Sequence, residues 1–218
     1  MKELFARHKK TLIISSILIL LPVVFGVALW DRLPDPMPTH FDADGMPNGW
    51  SSKPFAVFGI PLFLLAMQWF CLLATGADPK RRNVNPKVLS LMLWLVPAIT
   101  LIAMGSVYAM ALGADINTTQ LLYPFFSLVF ILIGNYLPKC RQTYTMGIKL
   151  PWTLADEENW NKTHRMAGPL WMICGLVTLP CFFLPRNFAS ALLFTALFTA
   201  VLVPTVYSFL LARKKGQI

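Results

Sequence analysis

Residues 33–50, LPDPMPTHFDADGMPNGW, bring together side chains that could bind a ligand. If HFDAD is extended, its side chains alternate, so His40, Asp42 and Asp44 lie on one face. An imidazole and two carboxylates can together bind a divalent cation. DADG also matches the start of an EF-hand loop, but the positions where that loop needs an oxygen ligand, a glycine and a glutamate are differently occupied. They hold Met46, Pro47 and Lys53. The pattern allows a weak metal site and favours a hydrogen-bonded turn formed by aspartate and glycine.

The prolines of the same segment predict its backbone. Pro34, Pro36 and Pro38 fix φ and restrict the residue before each of them, so PDPMP should form a stiff, extended arm. PNGW is typical of a tight turn, and Trp50 is placed to anchor the chain at a membrane surface before the next helix.

A second polar segment covers residues 134–171, GNYLPKCRQTYTMGIKLPWTLADEENWNKTHRMAGPLW. Thr153 as N-cap and Asp156 three residues later predict a capping box that opens a helix over residues 154–166. Trp160 would lie on the apolar side of that helix. Two interpretations stay open: an interfacial helix with tryptophans at the level of the lipid headgroups, and a docking surface for a partner.

The rest of the chain must position these segments in a membrane. Of its 218 residues, 56% are hydrophobic and 13% are charged, about half the charged fraction of a soluble domain. Runs of about 20 apolar residues are long enough to cross a bilayer. They cover residues 11–30, 55–75, 88–112, 119–137, 168–184 and 188–211. No cofactor is indicated, and the four cysteines form no CxxC pair.

The sequence therefore predicts an all-α integral membrane protein, a six-transmembrane-helix bundle that forms one domain over residues 1–218. Residues 11–75 would be an amino-terminal helix pair joined by a first loop, residues 31–54. Residues 119–211 would be a carboxyl-terminal core that contains a second loop, residues 138–167.

The basic residues predict the orientation, since lysine and arginine gather on the cytoplasmic side of short loops. With both termini inside, cytoplasmic segments hold sixteen of the nineteen basic residues, and only Arg32, Lys53 and Arg186 fall outside. The first loop then faces outward and is mildly acidic, and the second loop faces the cytoplasm. The net charge of +9 is explained by basic anchors at an anionic inner leaflet and requires no nucleic acid.

At both loops the sequence resembles the SdpI family of bacterial immunity proteins. LPDPMPTHFDADGMPNGWSSK is similar to the domain found at the amino end of those proteins, and GNYLPKCRQTYTMGIKLPWTLADEENWNKTHRMAG to their carboxyl-terminal core motif. The resemblance implies a multi-pass protein of the bacterial inner membrane that protects its cell from a secreted peptide toxin. In some members it also implies that the toxin-occupied protein recruits a transcriptional repressor to the membrane.

The two loops together provide two sets of candidate site residues, most of them motif positions. The outer set, for recognition of toxin or ligand, is Pro38, His40, Phe41, Asp42, Asp44, Gly45 and Trp50. The inner set, for docking of a cytoplasmic partner, is Asn135, Pro138, Trp152, Thr153, Trp160, Thr163 and His164.

Two other classes of protein compete with a receptor or immunity protein. Residues 157–162, EENWNK, come close to the EExxxR signature of one class of intramembrane protease, but a lysine replaces the arginine and HExxH and GxSxG are absent. His40 also lies across the membrane from His164, so the two cannot share a catalytic site. A transporter or channel is the other alternative, although ionisable groups are missing from the helix centres where coupled transport needs them.

Overall fold

The computed structural model describes residues 2–42, 45–114 and 116–217. The chain begins with helix α1, which is followed by a two-stranded hairpin and then by further helices. A π-helical turn, Phe55–Gly59, leads directly into α2, and 3₁₀ turns join several later helices. The elements are α1 Lys2–Ala28, β1 Met37–Phe41, β2 Pro47–Ser51, α2 Ile60–Ala77, α3 Pro86–Ala111, α4 Thr118–Tyr136, α5 Pro151–Ala155, α6 Glu157–Thr178 and α7 Arg186–Lys214.

Six helical segments of the described residues are long and apolar enough to cross a membrane, which confirms the predicted six-helix membrane class. They are Phe5–Ala28, Phe55–Ala77, Pro86–Ala111, Gln120–Lys139, Glu157–Phe183 and Arg186–Lys214. The first helix starts earlier than predicted because the basic segment before residue 11 continues the helix.

Residues 157–166 of the helix predicted over residues 154–166 are helical, but the predicted start and end of that helix are wrong. A short α5 ends at Ala155, because the backbone of Asp156 is extended (φ −132°, ψ 113°) and interrupts the helix. The Asp156 carboxylate accepts a hydrogen bond from the Glu158 N–H at 2.9 Å, so Asp156, and not Thr153, is the N-cap of the long helix. That helix, α6, continues through Pro169 into the apolar run predicted at residues 168–184, since packed neighbours in a membrane bundle compensate for a proline.

The turn predicted at PNGW is also wrong, because these residues form β2. The strand pairs antiparallel with β1, with Trp50 opposite Pro38 and Gly49 opposite His40. The chain reverses direction before β2, between Asp42 and Met46, where Gly45 has a φ of 76°. The prediction of an extended arm holds from Met37 onward.

The chain divides into two compact units. Unit 1 contains Met1–Leu73 and Ser90–Leu122, and unit 2 contains Ala74–Leu89 and Tyr123–Ile218. The core of unit 1 joins the hairpin to helices through Leu33, Met37, Ala56, Val57, Met104, Val107 and Tyr108.

In unit 2, α4 and α6 run antiparallel with their backbones in contact. A Cβ on Gly134 would lie 2.7 Å from the Gly168 carbonyl oxygen, and a Cβ on Gly175 would lie 2.6 Å from that of Ser127. Small residues allow such close approach of membrane helices.

Candidate functional site

The first loop is a folded hairpin that is fixed to unit 1 at both ends. Met37 at the start of β1 is fully buried in the unit 1 core. After β2, the Lys53 N–H donates to Asp35 Oδ1 at 3.0 Å, and Lys53 Nζ donates to the Trp30 carbonyl at 3.1 Å. The same ammonium lies 5.3 Å from the centre of the Trp30 ring, a cation–π contact. The loop therefore presents its exposed side chains from a fixed backbone.

Side chains of the predicted outer set hold the hairpin together. His40 Nδ1 lies 2.5 Å from Asn48 Oδ1 across the two strands. Asp42 Oδ1 accepts a hydrogen bond from the Met46 N–H at 2.9 Å, which is the aspartate turn that the sequence favoured. Asp44 lies outside the described residues, so the His40–Asp42–Asp44 metal site stays a prediction. Among the residues that are described, no group of three histidine, cysteine or acidic side chains could hold a metal ion.

The outer set separates into buried and exposed members. Pro38 is buried, and Phe41 packs against the unit 1 core. His40 is exposed, and so is Trp50 at 57%. Met46, which is not a member of the predicted set, is 58% exposed beside them. The hairpin thus offers an apolar surface with polar groups beside it.

The centre of the second loop is a buried, stacked pair, Trp160 and His164, whose ring centres are 4.1 Å apart. The Trp160 indole N–H donates to the Cys140 carbonyl at 2.9 Å. His164 Nε2 accepts from the Ile148 N–H at 2.9 Å, so Nδ1, which lies 2.8 Å from the Trp160 carbonyl, carries the proton and donates to it. Both ring nitrogens of a neutral histidine are therefore engaged by the backbone.

Gly147 makes this close packing possible. Its φ is +109°, and a Cβ there would lie 2.6 Å from His164 Nε2 and 2.7 Å from the Trp160 ring. The loop backbone lies directly against the two rings, where a side chain would not fit.

Thr153 and Gln142 fix the segment that leads into α5. The Thr153 hydroxyl accepts from the Leu150 N–H at 2.9 Å and lies 2.8 Å from the Ile148 carbonyl, to which it donates. The Gln142 amide donates to the Thr153 carbonyl at 2.8 Å. Gln142 Oε1 in turn accepts from Lys80 Nζ, so the turn after α2 is joined to the second loop.

Asp78 is a site residue that sequence reasoning missed. It is 2% exposed and its carboxylate accepts three hydrogen bonds. The donors are the Lys80 N–H at 2.7 Å, the Tyr144 N–H at 2.9 Å and the Thr145 hydroxyl at 2.8 Å. Nothing in the local sequence, GADPKRR, indicates donors that lie 66 and 67 residues later.

A second polar cluster joins α5 and α6 to α7. The Asn159 amide donates to the Ser208 carbonyl at 2.9 Å, and the Trp152 indole N–H donates to the Ser208 hydroxyl at 2.9 Å. Thr163 donates to Asn159 Oδ1 at 3.0 Å. Thus the structure brings most of the predicted inner set into two adjacent networks. Asn135, in the last turn of α4, and Pro138, just after α4, are the exceptions, since both are exposed.

Asp156 and Lys215 connect the start of α6 to the end of α7. Lys215 Nζ lies 2.6 Å from Asp156 Oδ2 and 2.6 Å from Glu158 Oε2. The hydrogen bond from Lys215 lowers the pKa of Asp156 to about 2. The same contact raises the pKa of Lys215.

The two loops coincide with the regions that known families match. Residues 139–208, which contain nearly all of the second loop, α5, α6 and most of α7, match the SdpI/YfhL protein family. Residues 17–65, which contain the hairpin, match a domain of unknown function, DUF1648. No solved structure gives a significant match.

A curated relative covers almost the whole chain. Immunity protein SdpI of Bacillus subtilis (strain 168) is 24% identical over 198 residues, which are 90% of this chain and 93% of the relative. These findings confirm the resemblance that the two loop motifs indicated: residues 139–208 match the SdpI/YfhL family, and a chain with six candidate membrane spans is similar to an SdpI immunity protein over most of its length.

Proposed function

We propose that this protein is a membrane immunity protein that protects a bacterium from a secreted peptide toxin. The observation that carries the proposal is the similarity to Immunity protein SdpI along 198 residues, 90% of this chain, together with six helical segments that could cross a membrane. A match of this extent indicates that the two proteins are similar over most of their length, whereas one shared motif would indicate only a similar site.

We place the protein in the bacterial cytoplasmic membrane with both termini inside. The distribution of sixteen of nineteen basic residues supports this orientation. The hairpin then faces the side from which a secreted toxin arrives, and the second loop faces the cytoplasm.

The hairpin is the proposed recognition surface for the toxin. Trp50 and Met46 are more than half exposed and sit on a backbone that Met37 and Lys53 hold in place. A preformed surface loses little conformational entropy on binding. The acidic residues Asp31 and Asp35 lie in the same loop, and their attraction for a cationic peptide would be modest and weakened by salt.

The second loop is proposed to support the bundle and, where a repressor is recruited, to present its docking surface. Thr153, Trp160, Thr163 and His164 are all buried. They would therefore act by fixing the shape of the loop, and a cytoplasmic partner would contact exposed neighbours such as Tyr144 and Arg165.

The surroundings of EENWNK support a function without catalysis. Both ring nitrogens of His164 are engaged by backbone groups. Glu158 pairs with Lys162 at 2.6 Å, the geometry of an ordinary exposed ion pair on a helix. Glu157 is exposed as well.

Survival of a sensitive bacterium tests the proposal. Cells that express the protein should survive an Sdp-type peptide and should remain sensitive to unrelated membrane-active peptides. A Trp50→Ala, Met46→Ser variant should lose protection at equal membrane expression, whereas a matched change on an exposed membrane-facing residue, Phe70→Ala, should retain it. Sensitivity of cells with abundant wild-type protein would contradict immunity, and full protection by the hairpin variant would contradict the recognition surface alone.

A further inference from the structure

Unit 2 contains a cleft of about 380 Å³ on the outside of the α4–α6 pair. It lies beside the contact in which Gly134 and Gly168 bring the two backbones together. Its lining includes Gly134, Asn135, Lys139, Pro169, Ile173 and Leu176.

The cleft is polar at one end and apolar along the rest. Lys139 is the last residue of the fourth span, and Asn135 lies one turn before it. From Pro169 the wall continues through Ile173 to Leu176, which is about 10 Å along α6 toward the membrane interior. Ile173 and Leu176 are 56% and 57% exposed, so the apolar part opens toward lipid.

The charge at the polar end is available for an anion. Two other lysines of unit 2, Lys162 and Lys215, form salt bridges with acidic side chains. Lys139 instead donates to Asn135 Oδ1 at 3.1 Å and lies 5.4 Å from the centre of the Tyr136 ring. An ammonium that is held beside an amide at the end of a span matches a phosphodiester, and the apolar wall below it matches an acyl chain.

We infer that this cleft binds one anionic phospholipid, with its phosphate on Lys139 and Asn135 and an acyl chain along Ile173 and Leu176. Such a lipid would fill the space beside the glycine contacts of α4 and α6. It would also hold the end of α4 next to the second loop, which begins at residue 138. The inference does not depend on the proposed function or on the orientation of the chain.

Native mass spectrometry of the purified full-length protein tests the inference, with phosphatidylglycerol and phosphatidylcholine of identical acyl chains as probes. One lysine near an anionic headgroup contributes a preference of about fivefold, so wild-type protein should retain phosphatidylglycerol about fivefold better. Lys139→Gln should remove that preference. Lys149→Gln should keep it, because Lys149 is an exposed lysine of the same loop that donates to the Thr145 carbonyl and is not in the cleft. Ile173→Trp, which fills the apolar part, should reduce adducts of both lipids.

Three results would overturn the inference. Equal retention of the two lipids by wild-type protein would exclude an anion site. If Lys139→Gln and Lys149→Gln lowered the preference for phosphatidylglycerol equally, the preference would come from the overall positive charge of the loop and not from the cleft. A protein dimer that disappears in Ile173→Trp, without any lipid adduct, would assign the cleft to a second copy of the chain.

Discussion

Gly147 shows how one residue decides the shape of the second loop. An alanine there would destabilise the fold by about 1–2 kcal/mol through the positive φ. Its Cβ would also overlap with Trp160 and His164. We expect Gly147→Ala to lower the free energy of unfolding by a further ~1–3 kcal/mol through overpacking. Thermal unfolding in detergent measures the loss. Gly113→Ala is the matched control, since Gly113 has a φ of +90° with no atom within 4 Å of an added Cβ. Equal losses in the two variants would mean that the ring contact is unimportant.

Asp78 gives a prediction with a local readout. Asp78→Asn would replace one carboxylate oxygen by an amide donor facing a group that itself donates. The loss of hydrogen bonds to a buried charged acceptor should cost about 1.5–3 kcal/mol. Amide hydrogen exchange at Tyr144 and Thr145 should accelerate, while exchange in the hairpin stays unchanged. Unchanged exchange at Tyr144 would contradict the role of Asp78 in holding the loop.

At the residue scale the sequence predicted important positions better than it predicted their roles. Trp160 and His164 stand out as aromatic and polar residues beside a basic loop. Their partners, however, are backbone groups of Cys140 and Ile148, 20 and 16 residues earlier. Asp78 has no local signal at all. Contacts of this kind depend on the folded path of the chain, which residue types alone do not specify.

At the element scale the six spans were predictable because crossing a bilayer requires long apolar helices. The structure of the loops was less predictable, since short turns and helix ends depend on a few local hydrogen bonds. PNGW contains turn-forming residues but pairs as a strand because Gly49 allows close approach to His40. The capping box assigned to Thr153 failed because Asp156, three residues later, caps the longer helix.

The contact of Asp156 with Lys215 predicts a dependence on pH. The pKa of Asp156 is about 2 in the folded protein, below its ordinary value of 3.8. The contact therefore stabilises the fold above pH ~4, and this contribution is lost as the pH falls through ~2. Asp156→Asn should lower stability by about 1 kcal/mol near neutral pH, a small value because the pair is partly exposed and screened.

Asparagine caps a helix as well as aspartate does, so this variant removes the charge and keeps the cap. The difference in unfolding midpoint between wild type and Asp156→Asn should shrink between pH 4 and pH 2 and also in high salt. A difference that is constant over that range would show that the ion pair does not stabilise the end of α6.

At the scale of the whole molecule, the two family matches fall on different parts of the chain. The DUF1648 match ends at residue 65, and the SdpI/YfhL match begins at residue 139. The first contains a hairpin with exposed apolar side chains, and the second contains a loop whose conspicuous side chains are buried. This contrast fits a protein that binds a ligand through one loop and maintains or reports its folded state through the other. Such a division requires the two loops to face opposite sides of the membrane.

Cysteine labelling in intact cells tests this requirement. We expect Asn48→Cys, in the hairpin, to react with a membrane-impermeant maleimide in intact cells, and Lys149→Cys, in the second loop, to react only after permeabilisation. Wild-type protein is the control, and its background should be low. Partial burial raises the pKa of the Cys140 thiol to about 11, which keeps it protonated, and Cys71 lies within a span. Labelling of Lys149→Cys but not of Asn48→Cys in intact cells would show that the orientation is the opposite of the predicted one. A secreted peptide could then not reach the hairpin.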